Sequence, residues 1–116
     1  MVQKTETREE YSVASGEVFL SIVFGDGQLG TSVVVYNNKI LRMGDIQNLK
    51  IGSGPDLAGN SVKIKSTVTD VNDKTDRTSV TYTLRGGTQD REFAANGMVE
   101  EPGGSMVYRA EFQFTS

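Results

Sequence analysis

The stretch that decides the fold is Met106–Thr115, MVYRAEFQFT. Met106, Tyr108, Ala110, Phe112 and Phe114 alternate with Val107, Arg109, Glu111, Gln113 and Thr115. Successive side chains of an extended chain point to opposite faces, so a period of two sets an apolar face against a mostly wet one. A helix would scatter the same residues around its circumference. The segment therefore reads as a long strand with one face in a core. Burying Phe112 or Phe114 there contributes roughly 1.5–3 kcal/mol each.

The same period recurs upstream. In Ser61–Val71, Val62, Ile64 and Val68 oppose Lys63, Lys65, Thr67 and Thr69. In Thr78–Arg85, Val80, Tyr82 and Leu84 oppose Ser79, Thr81 and Thr83. The polar connector Asn72–Arg77 (NDKTDR) predicts a hairpin between them. Earlier, Val18, Leu20, Ile22 and Phe24 share one face and Phe19, Ser21 and Val23 the other, which predicts a strand covered on both sides. Thr31–Tyr36 (TSVVVY) is rich in β-branched residues that suit a pleated surface. Asn37-Asn38 predicts a tight turn, because asparagine tolerates positive φ. Short strands follow at Lys39–Met43 and Ile46–Ile51, and another at Arg91–Ala94.

Gly52–Asn60 (GSGPDLAGN) is loop chemistry throughout and predicts a crossover between sheets. Lys4–Val13 alternates but is polar until Tyr11, as expected of a charged edge strand or a loose arm. No segment carries a convincing helical period. Phe93–Glu101 has room for one turn, limited by Gly97 and Pro102.

With 116 residues the chain has the usual size of one domain, and residues 1–116 read as a single β domain. Many short strands separated by turn signals predict an all-β, two-sheet β-sandwich, immunoglobulin- or fibronectin-like in general architecture. A small antiparallel β-barrel is the alternative. The cysteine–tryptophan–cysteine hallmark of antibody domains is absent, since the chain has neither residue.

Composition removes several functions. There is no cysteine and no histidine, so there is no thiol nucleophile, Ser-His-Asp triad or ordinary zinc site. The net charge of −3 comes from interspersed acids and bases, which argues against nucleic-acid binding. No apolar run is long enough to span a bilayer, so membrane insertion is not expected. Met1–Glu10 lacks an apolar export segment. The compartment stays open, with an exported or extracellular setting expected if Met1 stands where a leader was removed.

Four sets of residues invite a chemical reading. Gly25–Gly30 (GDGQLG) matches the dinucleotide-binding pattern, with Asp45 about 20 residues on. That pattern must open a helix, and here TSVVVY follows, so the glycines read as a turn. Asp70, Asn72, Asp73 and Asp76 put side-chain oxygens close together, as calcium requires, although a turn explains them too. No other cofactor is expected. Tyr36 beside Asn37 and Asn38 offers an aromatic ring with amides, a combination able to hold a sugar. Glu9, Glu10, Glu17, Glu92, Glu100, Glu101 and Glu111 include any carboxylate pair that could run glycoside hydrolysis.

By elimination the sequence predicts a non-catalytic interaction or structural module with a protein partner, of the kind found in exported or cell-surface proteins. A carbohydrate- or calcium-binding domain is the alternative, and a small carboxylate-dependent hydrolase the second. Oligomeric state is not readable.

Overall fold

The computed structural model describes residues 2–116, and Met1 lies outside them. In chain order the elements are β1 (Val2–Ser12), β2 (Glu17–Phe24), β3 (Leu29–Tyr36), β4 (Lys39–Gly44) and β5 (Leu49–Ser53). There follow α1 (Gly54–Leu57), β6 (Ser61–Thr69), β7 (Arg77–Arg85), β8 (Arg91–Met98) and β9 (Ser105–Thr115). The strands form a five-stranded sheet in the order β1-β9-β6-β3-β4 and a four-stranded sheet in the order β5-β2-β7-β8. The two sheets pack face to face as a β-sandwich. Neither closes: β1 and β4 are edges of the first, β5 and β8 of the second, so the barrel alternative is excluded.

The alternation read from the sequence is the inside–outside pattern of these sheets. Met106, Tyr108, Ala110, Phe112 and Phe114 of β9 are all buried. So are Val62, Ile64 and Val68 of β6, and Val80, Tyr82 and Leu84 of β7. Phe112 joins the layers, with Tyr82 edge-on at 5.4 Å and Phe93 tilted at 5.0 Å between ring centroids. Both of those rings come from the opposite sheet.

Polar groups inside this core are paired by short hydrogen bonds. Ser32 and Ser66 face each other across the β3–β6 register, 2.7 Å apart. The Thr78 hydroxyl donates its one proton to the Gly97 carbonyl at 3.0 Å. The Tyr108 hydroxyl, 2.6 Å from Thr78, must therefore be the donor in that pair. The Tyr82 hydroxyl is the exception. It is buried beside the Ser66 hydroxyl, which is already engaged with Ser32, and meets no partner at full hydrogen-bond geometry; burial pushes its pKa well up, with Ser66 opposing.

Several expectations need correcting. β6 and β7 do not form a hairpin: β6 already lies between β9 and β3, so it has no free edge to offer, and residues 70–76 carry the chain into the other sheet. β2 is covered on one face only, for Val23 is 61% exposed on the outer face of the four-stranded sheet. Gly52–Asn60 does cross between sheets, and it also holds the single turn α1, capped by the Ser53 hydroxyl accepting from Asp56 N–H. The strand around Phe93 runs on to Met98. The Asn37-Asn38 turn is as expected, with φ of 55° and 61°.

The pairs β2–β7 and β3–β6 nest, because the partner of β3 precedes the partner of β2 in the chain. In an immunoglobulin sandwich the returning strands come in the other order. The kinship is one of layers, not of strand order. The charged segment Lys4–Ser12 lies in edge strand β1, parallel to β9, with Val2 opposite Ser105 and Ser12 opposite Thr115. At the end of β1 Tyr11 turns its side chain into the core, and just past the strand Val13 does the same; both are buried. The Tyr11 hydroxyl accepts from Gly87 N–H at 2.9 Å and so ties this turn to the β7–β8 loop.

Candidate functional site

The residues picked out from sequence are placed as follows. Tyr36 lies in the inward-facing register of β3, opposite Val62, and its half-buried ring packs against the core. Its hydroxyl points to the Asp56 carbonyl at 3.5 Å. Asn37 and Asn38 supply the two positive-φ positions of the β3–β4 turn. The ring and the amides thus serve the turn and the core, and the ring does not stand free as a platform.

GDGQLG is a turn, with Asp26 and Gly27 at φ of 60° and 68°. Its Gln28 has a role that the sequence did not announce. Gln28 Oε1 accepts from the N–H groups of Val71 and Asn72, at 2.8 and 2.9 Å. Gln28 Nε2 donates to the carbonyls of Thr75 and Arg77, at 3.2 and 3.0 Å. One nearly buried amide therefore clamps both stems of the β6–β7 loop.

The four candidate calcium ligands lie in that loop, but the clamp brings only two together. Asn72 is occupied in shaping the turn: its Nδ2 donates to the Asp26 carbonyl and its Oδ1 accepts from Lys74 N–H. Asp73 is exposed on the outside of the loop. Asp70 and Asp76 face each other. The Asp76 carboxyl is raised above its ordinary pKa, first because the adjacent Asp70 carboxylate favours a shared proton, then through desolvation and repulsion. Among the described residues, no group of three or more His, Cys, Asp or Glu is arranged to hold a metal.

The most extensive feature is the outer face of the five-stranded sheet. Strand register lines up two rows across it. One runs Glu6, Arg109, Lys65, Val33, Met43, and the next Arg8, Glu111, Lys63, Val35, Ile40. Each row is charged on the β1 side and apolar on the β4 side. Ile40 and Met43 are 60% and 65% exposed. A shallow groove of about 480 Å³ crosses the rows, lined by Val33, Val35, Lys63, Lys65, Arg109 and Glu111 among others.

The electrostatics of this face are uneven. Glu111 takes a hydrogen bond from the Ser61 hydroxyl at 3.1 Å and approaches Arg8 at 3.9 Å. Lys63, Lys65 and Arg109 have no ion-pair partner among the described residues. Lys65 and Arg109 sit directly opposite each other, a like-charge pairing that weakens a sheet. A second groove, of about 460 Å³, holds Glu9 and Glu10 with Arg8 and Arg91 beside the β1 edge. Of the other glutamates, Glu17 pairs with Lys50 at 2.8 Å, Glu92 lies on the outer face of the four-stranded sheet, and Glu100 and Glu101 lie in the β8–β9 loop.

Sequence reasoning missed the apolar half of this face. The signal was present: in TSVVVY, Val33 and Val35 lie on the face opposite Val34, and Val34 alone is fully buried. Ile40 and Met43 were unreadable, because the bulge at Val34/Val35 shifts the register of β4 against β3.

The fold defines the class: an open two-sheet β-sandwich whose strand pairs nest. Comparison of the chain with protein-family models, curated proteins and solved structures returned no match.

Proposed function

We propose that the domain is a non-catalytic interaction module that binds a protein partner on the outer face of its five-stranded sheet. The observation that carries this reading is the apolar strip Val33, Val35, Ile40 and Met43 lying beside the unpaired Lys63, Lys65 and Arg109. Exposed apolar side chains that adjoin one another mark contact surfaces. Cations left opposite each other at a cost to the sheet call for acidic groups from outside. The fitting partner presents an apolar ridge flanked by Asp or Glu.

The edge at β4 adds to the reading. It carries exposed backbone groups next to Ile40 and Met43, and this is where an extended segment would add a strand. The opposite edge, β1, bears Lys4, Glu6, Arg8, Glu9 and Glu10, which discourage such addition.

The test is affinity capture followed by direct binding measurement with the purified captured partner. Ile40→Glu with Met43→Glu should weaken binding by at least tenfold, and Lys63→Glu with Lys65→Glu should do the same while removing most of its salt dependence. Thr81→Asp, on the outer face of the other sheet, should leave binding unchanged. Loss of binding in the Thr81 variant with retention in the other two overturns the reading.

A further inference from the structure

Asp70 is left unexplained by its own contacts. It is 5% exposed, and apart from a proton shared with Asp76 no N–H or hydroxyl of any described residue donates to either carboxylate oxygen. A carboxylate taken out of water needs a donor or a cation beside it. Its neighbour is instead another acid, Asp76. Lys74 and Arg77, the bases of the same loop, partner neither of them among the described residues.

The surroundings hold the two acids in place. Three loops are stitched together at this pole of the sandwich. Asn72 Nδ2 reaches the Asp26 carbonyl, Val99 N–H reaches the Asp76 carbonyl, and Asp70 N–H reaches the Gly104 carbonyl. These loops bring Asp26 to the same pole as the two facing aspartates, with Asp73 and Lys74 on the outside of the β6–β7 loop.

We infer that Asp70 and Asp76 are the protein ligands of a calcium ion bound at this pole. The donors are oxygen only, in a chain without histidine or cysteine, which selects a hard cation. Calcium accepts irregular shells of six to eight oxygens and bidentate carboxylates, whereas magnesium demands near-octahedral order. A buried carboxylate with both oxygens free is suited to the bidentate role. No third acidic side chain completes the set among the described residues, so water supplies much of the shell. Such a site is weak, with a dissociation constant on the order of 10⁻⁴–10⁻³ M, the range of extracellular modules. The Gln28 clamp holds the loop closed by itself, so the fold does not depend on the ion.

The experiment is thermal unfolding of the whole chain at pH 7 in chelator, in about 5 mM calcium chloride, and in sodium chloride of matched ionic strength. Calcium should raise the melting temperature by roughly 5 °C over the sodium control at such a concentration. Asp70→Asn should melt no lower than wild type in chelator, having shed an unpaired buried charge, and should lose the calcium increment. Asp76→Asn, a milder change at a more exposed position, should lose most of it. An equal rise in sodium chloride, an unchanged increment in both variants, or no increment in wild type overturns the assignment.

Discussion

Truncating Phe112 to alanine tests the inside–outside assignment at its centre. The ring is fully buried, lies opposite Val62 within its own sheet, and touches Tyr82 and Phe93 of the other. Phe→Ala in a core costs about 3–5 kcal/mol, part of it for the cavity left behind. Two aromatic pairs, each adding about 0.5–1.5 kcal/mol beyond area, place this site near the top of that range. We therefore expect a loss of about 4–5 kcal/mol. At about 0.05–0.15 kcal/mol per residue, 116 residues hold about 6–17 kcal/mol, so most or all of a low-end stability would go. In guanidinium titrations followed by circular dichroism, a slope near 3 kcal/mol/M converts the loss into a midpoint shift of roughly 1.5 M. Val23→Ser, at an exposed site, should change stability by no more than about 0.5 kcal/mol. A loss under about 1 kcal/mol for Phe112→Ala at unchanged slope, or equal losses in both variants, refutes the assignment of faces.

Three further outcomes follow from the polar groups of the core and of the β6–β7 loop. Tyr82→Phe should be neutral or stabilise by up to about 1 kcal/mol, because it removes a buried hydroxyl whose neighbour Ser66 is already engaged with Ser32; a clear destabilisation means that Ser66 satisfies it. Thr78→Val should cost about 1–3 kcal/mol by orphaning the Tyr108 hydroxyl, and combining it with Tyr108→Phe should cost less than the sum; strict additivity disproves their coupling. The Asp76 carboxyl is raised above its ordinary value of 3.8 in the folded state, so between the two values the native state holds the extra proton and stability falls as pH rises through that window. Measured in chelator, the melting temperature of wild type minus that of Asp76→Asn should increase as pH is lowered from neutrality into that window, and a flat difference refutes the contact with Asp70.

Wherever one face of a strand is dry and the other wet, the architecture was legible. β9, β6 and β7 could be read side chain by side chain, since one slip in register would have moved Phe112 or Tyr82 into water. Pairing was not legible. Nothing in NDKTDR distinguishes a hairpin from a crossing between sheets, because the deciding fact is that β9 and β3 already flank β6. Turn-forming residues concealed the charged pole in the same way. Asp70, Asn72, Asp73 and Asp76 look alike as letters, and only the Gln28 clamp, reaching from a different loop, sets the facing pair Asp70 and Asp76 apart from the other two. The outer-face strip was half legible, through Val33 and Val35, and its other half waited on a bulge.

The parallel seam between β1 and β9 has a mechanical consequence. The start of β1 and the end of β9 lie at opposite ends of one ladder. Tension applied through the two flanking stretches of chain would slide these strands past each other. It would strain the whole row of hydrogen bonds together instead of peeling them off one by one. A domain tethered at both ends would then resist being pulled open far better than its thermal stability suggests.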